Sequence, residues 1–323
     1  MRKFKVRSRQ ARIFQNRFGA IYLIVRFLVQ FRLAIFISLA VTFSAYTFTA
    51  SYRLKPGVFI KRGIFSPGQT IKISADNTRH LSNLKCKLKD RVYPFFEENA
   101  PASDNLRNDK YNPARALVPI PLKIAPGLYE LDVSIKGETL QKTTILIKDT
   151  KAKPIMLNIA SFKIEERKHP DVKKEDVLIK QIISAQLPQQ MWKGLFELPA
   201  NARFSAPFGE KRLLPDDTNY FHRGLDIAIV SDTPVLAVND GVVEHTGKFK
   251  IGGNSVYVNH GQGVFTLYCH LNSFTVKKGD RVKKGQVIAK SGSTGFSNSP
   301  HLHWSVIVGG HEVDPLQWTR EEF

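Results

Sequence analysis

The run VKKGDRVKKGQVI at residues 276–288 decides the fold of the C-terminal part of the chain. Its apolar residues lie in short stretches, and Gly279 and Gly285 give the backbone the freedom that tight corners need. A strand–turn–strand is therefore predicted. Similar short runs recur at Val235–Val238, Gly241–Glu244, Ser255–Asn259, Val264–Cys269, Val287–Lys290 and His303–Val308. We expect a mainly β, hairpin-rich domain over residues 195–323.

A second β-rich segment precedes this domain, at residues 55–150. Polar and apolar residues alternate with period two in Thr70–Ile73, Leu84–Leu88 and Tyr129–Ile135, and turn-forming residues lie near each run. Several short strands within about 90 residues are typical of a small immunoglobulin-like β-sandwich. We expect the polar residues 97–115 to form a long loop inside it.

Residues 151–194 are predicted to link the two β segments. Apolar residues recur at roughly helical spacing between Asp171 and Leu187, which indicates one short amphipathic helix. The sequence of residues 55–150 shows no cluster of residues typical of a catalytic site, so a spacer or docking role is favoured for that segment.

The N-terminal region is predicted to anchor the protein in a membrane. Residues 33–52 carry no charge, and at about 1.5 Å per residue a helix of this length spans about 30 Å of hydrocarbon. Residues 1–32 hold nine Lys and Arg and no acid, which keeps this tail in the cytoplasm. A cleavable signal peptide is the alternative, but cleavage after either of the last two alanines leaves Phe43 or Phe48 at position −3.

The chain of 323 residues is strongly basic, with 48 Lys and Arg against 28 Asp and Glu, a net charge of +20. The excess lies before the C-terminal domain, because residues 196–323 hold 13 basic and 13 acidic residues. We therefore expect no nucleic-acid partner. Two cysteines are too few for a disulfide framework or a cysteine-rich zinc scaffold, so a metal site has to use histidine and carboxylate ligands.

Three histidine motifs carry the candidate chemistry. His222 and Asp226 are four residues apart and face the same way in either a strand or a helix, so their spacing leaves the backbone open. His301 and His303, two apart on a predicted strand, project from one face, and the residue between them points to the core. His270 ends another β-like run, where parity puts Cys269 on the opposite face. Two histidines and one carboxylate leave an open fourth position, as in catalytic zinc sites.

These motifs together resemble the zinc metallo-endopeptidases of the lysostaphin/LytM type. The flanking sequences match as well, at Phe208-Gly209, Gly253-Asn254, residues 278–285 and Val313-Asp314-Pro315. The resemblance covers about residues 195–318, and the preceding segment is similar to periplasmic members that carry an N-terminal sandwich. It implies an antiparallel two-layer β metallopeptidase domain that cuts peptide cross-links of bacterial peptidoglycan.

Carried over residue by residue, the resemblance implies that His222, Asp226 and His303 bind one Zn²⁺ per chain. His270 and His301 would flank the attacking water, and either can serve as the proton acceptor. Because all five residues are present, we expect an active peptidoglycan endopeptidase. The alternative is a non-catalytic peptidoglycan-binding activator of other wall hydrolases. With the anchor, the resemblance implies a single-pass protein of the inner membrane with its catalytic domain in the periplasm.

Other polar residues of the C-terminal domain are expected to be structural. His245, His260 and His311 are interpreted as ordinary strand or turn residues. Cys269 is expected to be a buried apolar group, and a disulfide between Cys86 and Cys269 is disfavoured.

Overall fold

The computed structural model describes residues 57–60, 63–76, 81–98, 113–149 and 153–323. The predicted basic tail at 1–32 and the predicted anchor at 33–52 lie outside these residues. Among the helices that are described, none combines the length and the apolar character needed to cross a bilayer.

In the described part of residues 58–147, nine strands form two sheets that share one hydrophobic core. The strands are β1 (Val58–Ile60), β2 (Ile64–Phe65), β3 (Thr70–Ala75), β4 (Leu84–Leu88), β5 (Arg91–Pro94), β6 (Phe96–Glu97), β7 (Ala114–Pro119), β8 (Gly127–Ile135) and β9 (Glu138–Ile147). One sheet has the order β1-β3-β7-β6 and the other β2-β9-β8-β4-β5. A 3₁₀ turn, Leu81–Asn83, leads into β4.

The period-two pattern of the sequence produces this sandwich directly. In β4 the side chains of Leu84, Cys86 and Leu88 are buried while the two lysines between them are exposed. Strand β7 is buried along its whole length, because alternate residues face the sandwich core while Leu117 packs into the core of the C-terminal domain. The loop predicted over residues 97–115 is wrong at both ends, which belong to β6 and β7.

The linker contains more regular structure than the sequence predicted. Its elements are β10 (Ile155–Met156), α1 (Ser161–Lys168) and α2 (Pro170–Ile183). The predicted helix is α2, which begins with Pro170 at a position that favours proline and is capped by the ring of His169. Its buried residue Ile182 packs on Phe249 and Tyr257 of the C-terminal domain. Helix α1 was not predicted.

The C-terminal domain is an antiparallel β structure with one short helix. Its elements are β11 (Phe204–Ala206), β12 (Lys211–Leu213), β13 (Asn219–Phe221), β14 (Leu225–Ile227), β15 (Pro234–Leu236), β16 (Gly241–Phe249), β17 (Gly253–Gly261), β18 (Val264–Phe274), β19 (Arg281–Val282), β20 (Val287–Ser291), β21 (Leu302–Val308), β22 (His311–Val313) and α3 (Pro315–Trp318). The main sheet runs β11-β14-β21-β18-β17-β16-β19, and β10 joins β12 and β13 in a small separate sheet. The prediction of a mainly β chain is confirmed.

Strand register shows that one face of the main sheet packs into the apolar core and that the other face carries predicted site residues. Leu225 lies opposite Trp304 across β14 and β21, and Trp304 lies opposite Tyr268 of β18. Residues that lie opposite each other share a face, and all three belong to the buried core. The next pair in the same ladder, Asp226 and His303, therefore points to the other face.

A polar contact joins the sandwich to the C-terminal domain. The Gln317 amide accepts a hydrogen bond from the Thr70 backbone N–H at 2.7 Å and donates one to the Thr70 carbonyl at 3.0 Å. The buried Arg115 guanidinium donates to the Gln262 side-chain oxygen at 2.9 Å and lies over the Trp192 ring. The sandwich and the C-terminal domain thus share buried hydrogen bonds as well as apolar contacts.

We expect Gln317→Ala to lower the free energy of unfolding by about 3 kcal/mol, because each buried polar group left without a partner costs about 1–3 kcal/mol. Chemical denaturation of the purified protein measures the change. Gln186→Ala, at an exposed position of the linker, serves as the matched control. An equal loss of unfolding free energy in Gln317→Ala and Gln186→Ala would show that the contact between Gln317 and Thr70 does not stabilise the protein.

A buried histidine makes the stability of the C-terminal domain sensitive to pH. His260 is fully buried between the Asp240 carbonyl, 2.7 Å from Nδ1, and the Thr266 hydroxyl, 2.8 Å from Nε2. Burial lowers the pKa of His260 from 6.5 to about 4, so the unfolded chain binds this proton at a higher pH than the folded chain does. The contribution of the neutral, buried His260 to the free energy of unfolding is complete above about pH 6.5 and is lost as the pH falls towards 4.

We therefore expect the free energy of unfolding to fall by up to about 3 kcal/mol between pH 6.5 and pH 4 through this residue. Denaturation at several pH values, compared with His260→Gln, isolates the effect from that of other groups. The substitution should flatten the pH dependence, whereas Gln186→Ala at an exposed position of the linker should leave it unchanged. Equal slopes for the wild-type protein and His260→Gln would refute the assignment.

Candidate active site

Two strands and one loop place the predicted metal ligands. His222 directly follows β13, Asp226 lies at the centre of β14, and His303 is the second residue of β21. Gly224 lies between the first two, where a Cβ atom would come within 2.6 Å of the His303 ring. A glycine is therefore required for the loop to pass this close to the imidazole.

The side chains of these three residues converge on one point. His222 Nε2 lies 2.9 Å from Asp226 Oδ1 and 3.0 Å from His303 Nδ1, and the last two atoms are 2.8 Å apart. His222 and Asp226 are buried, and His303 is half-buried. The structure thus brings together the three residues that the resemblance implied as ligands.

The outer hydrogen bonds of the imidazoles show that this cluster suits a cation. The Pro207 carbonyl, 2.7 Å from His222 Nδ1, can only accept, so the proton of a neutral ring is on Nδ1 and Nε2 is a free donor atom for a metal. The Ser305 hydroxyl, 3.0 Å from His303 Nε2, can accept in the same way, which leaves Nδ1 of a neutral His303 ring unprotonated. Electron pairs of two nitrogens and one carboxylate oxygen then face each other, which requires a proton or a cation between them.

The dimensions of the cluster fit a tetrahedral zinc site after a small expansion. Bonds of 2.0–2.1 Å would place the ligand atoms about 3.3 Å apart, a few tenths of an ångström more than the present separations. Burial alone would raise the pKa of Asp226, but hydrogen bonding to His222 and His303 outweighs burial and holds the pKa below its ordinary value. The carboxylate is therefore ionised, as a metal ligand must be.

His270 reaches the site through an irregularity in β18. Ser255 of β17 stands opposite two residues of β18, Cys269 and His270, because the register shifts between Asn254 and Val256. His270 adopts the left-handed conformation, with φ of 60°, which is costly for a residue other than glycine. This bulge turns the imidazole to the face that carries His303.

The bulge overturns the prediction that Cys269 and His270 lie on opposite faces. Cys269 pairs with His303 in the strand register and is hydrogen-bonded to Ser255, so it lies on the site face and not in the main core. It is nevertheless buried, and burial raises the pKa of its thiol to about 12. Cys86 is also a buried free thiol, so the disfavoured disulfide does not form.

His270 and His301 lie side by side next to the three converging residues. Their ring centroids are 4.6 Å apart, and His301 Nε2 is 3.9 Å from Asp226 Oδ1. Each ring is held by a carbonyl, His270 Nδ1 by Thr294 and His301 Nδ1 by Ser299, both at 2.8 Å. Burial, with a contribution from His301, lowers the pKa of His270 to about 3, so this imidazole is neutral near pH 7.

Arg212 was not identified from the sequence. Its Nη2 donates to Asp226 Oδ2 at 3.1 Å, on the side of the carboxylate away from the histidines. Arg212 is 14 residues from Asp226 in the sequence, and the β12–β13 hairpin brings the two together. No regular spacing in the sequence signals this contact.

Helix α1 bridges strand β13 and the loop that precedes β21, on the two sides of the site. Arg167 stacks over Tyr220 at 4.2 Å on one side, and Lys163 donates to the Ser297 carbonyl on the other. The preceding strand β10 pairs in parallel with β12, which carries Arg212. The linker therefore holds both sides of the site together.

The remaining candidate residues lie elsewhere. His245 packs against Phe249 and Tyr257, and His260 is in the core. Tyr268 is fully buried, and its hydroxyl accepts a hydrogen bond from the Val238 N–H at 3.1 Å.

Comparison with known proteins identifies relatives of this domain. Residues 220–315 match peptidase family M23. A DD-carboxypeptidase/endopeptidase, Mpg, of Neisseria meningitidis is 41% identical over 114 residues, which cover 35% of this chain and 26% of that protein. The peptidoglycan DD-endopeptidase ShyA of Vibrio cholerae is 40% identical over 116 residues, or 36% of this chain and 27% of its own length. The match thus spans about a quarter of these relatives.

A solved structure shows that the likeness in fold extends beyond this domain. The crystal structure of a protein from Pseudomonas aeruginosa, described as an M23 peptidase, superposes with a TM-score of 0.56 at 23% identity. It covers 79% of this chain and 94% of that one, and therefore includes strands of the sandwich. Residues 220–315, which include all five residues of the candidate site, thus match the model of peptidase family M23.

Proposed function

We propose that the protein is a zinc-dependent endopeptidase that hydrolyses peptide bonds in the stem peptides or cross-links of peptidoglycan. The observation that carries this proposal is the convergence of His222, Asp226 and His303, with two further imidazoles beside them. Two curated relatives named as peptidoglycan DD-endopeptidase or DD-carboxypeptidase/endopeptidase support the choice of substrate.

The residues present would hold one Zn²⁺ through His222 Nε2, Asp226 Oδ1 and His303 Nδ1. When bound there, zinc supplies a Lewis acid that polarises the scissile carbonyl and makes water nucleophilic near neutral pH. The Thr294 carbonyl holds the proton of the neutral His270 ring on Nδ1, so Nε2 is free to accept a hydrogen bond or a proton. The Ser299 carbonyl orients His301 in the same way, 3.9 Å from the ligand oxygen.

A non-catalytic activator of other wall hydrolases is the second candidate. Such a protein needs the scaffold but not a cluster of five converging polar side chains. Two observations favour catalysis. Hydrogen bonds orient His270 and His301 towards the cluster, and His270 adopts an unfavourable backbone conformation that a binding surface would not require.

The location is proposed from the sequence alone. The uncharged run at 33–52 after nine cations supports a single-pass anchor in the inner membrane, with the catalytic domain in the periplasm. Peptidoglycan would then be within reach of the site.

We expect His303→Ala to abolish stoichiometric zinc binding, because it removes one of three ligands. His270→Ala should retain zinc and lower turnover by orders of magnitude. Metal analysis after dialysis, combined with activity assays, separates the two effects, and His311→Ala serves as a control histidine outside the cluster. Stoichiometric zinc in His303→Ala would contradict the ligand assignment.

Incubation of the purified full-length protein with isolated sacculi should release soluble muropeptides, and a chelator should stop the release. Mass spectrometry of the products identifies the bond that is cut. Binding to sacculi without release, by protein that contains zinc, would favour the non-catalytic alternative.

A further inference from the structure

Arg212 occupies the oxygen of Asp226 that the metal cluster leaves free. Asp226 Oδ1 faces both histidine ligands, at 2.9 and 2.8 Å, whereas Oδ2 accepts a hydrogen bond from Arg212 Nη2 at 3.1 Å. The two oxygens of one carboxylate are thereby assigned to different partners. A free carboxylate can bind a metal through one oxygen or both, so such an assignment affects the coordination number.

The guanidinium is itself held in place. Arg212 Nε donates to Glu210 Oε2 at 2.9 Å, and the exposed fraction of the Arg212 side chain is only 13%. Strand β12, which carries Arg212, is paired with β13 on one side and with β10 of the linker on the other. Strand pairing on both sides therefore fixes the backbone of Arg212, and the low exposure of its side chain shields the contact with the Asp226 carboxylate from water.

The proposed function requires an open fourth position at the metal. A carboxylate that turned both oxygens to the metal would fill that position and would prevent water or the scissile carbonyl from reaching it.

We propose that Arg212 is a positioning residue that keeps Asp226 a one-oxygen ligand and so preserves the open position, an inference that rests on the proposed zinc endopeptidase function. Glu210 supports it by fixing the guanidinium plane. Neither residue needs to contact the substrate for this role.

The test uses the purified full-length protein with Co²⁺ in place of Zn²⁺, because the visible absorption of Co²⁺ is stronger in four-coordinate than in five-coordinate sites. We compare the wild type with Arg212→Met, which removes the donor, and with Arg212→Lys, which keeps the charge but not the planar fork. Arg281→Met, at an exposed position of β19, is the matched control. Dissociation constants for Zn²⁺ are measured on the same proteins.

We expect Arg212→Met to weaken zinc binding 10–100-fold, as loss of an outer partner of a metal ligand does, and to reduce the Co²⁺ absorption. Arg212→Lys should fall between Arg212→Met and the wild type, and Arg281→Met should match the wild type. An unchanged spectrum and dissociation constant in Arg212→Met would overturn the proposal.

Two further outcomes are distinguishable from these. If the wild-type protein binds neither metal, the proposed function fails, and the role of Arg212 fails with it. If Arg212→Met melts at a lower temperature than Arg281→Met, the Co²⁺ spectra and Zn²⁺ dissociation constants are compared in Arg212→Lys and Glu210→Gln instead. Wild-type spectra and affinities in both of these folded variants would refute the positioning role.

Discussion

The site depends on one constraint, the pairing of Asp226 with His303 across β14 and β21. The same ladder pairs Leu225 with Trp304 on the opposite face. Because successive side chains of a strand alternate between faces, burial of Trp304 obliges His303 to face the site. The packing of the core thus sets the position of two of the three proposed ligands.

His270 shows where regular strand geometry is insufficient for the chemistry. Continued alternation after Tyr268 would have turned His270 into the core. The bulge opposite Ser255 places two consecutive residues, Cys269 and His270, on the site face and then returns Leu271 to the core. The unfavourable φ angle of His270 is maintained by the well-packed strands on either side.

The parts of this structure that follow period-two alternation were predictable from the sequence. Strand runs such as 255–259 and the convergence of His301 and His303 belong to this class, and the motif resemblance supplied the rest of the candidate site. Cys269 was misplaced because a bulge leaves no trace in polar–apolar alternation. Arg212 was missed because its partner is fixed by hairpin pairing. Helix α1 was missed because Ile164 is the only buried residue among the α1 side chains that the structure describes, which leaves no helical apolar pattern to detect.

The division of labour between the two faces of the sheet has an evolutionary consequence. The imidazoles and the carboxylate of the cluster contribute little to the apolar packing, which lies on the reverse side with Leu225, Tyr268 and Trp304. A lineage that lost His222 or His303 would keep a folded scaffold and its neighbouring sandwich. Duplicated genes of this architecture can therefore drift from cutting a polymer to merely holding it without passing through an unfolded ancestor.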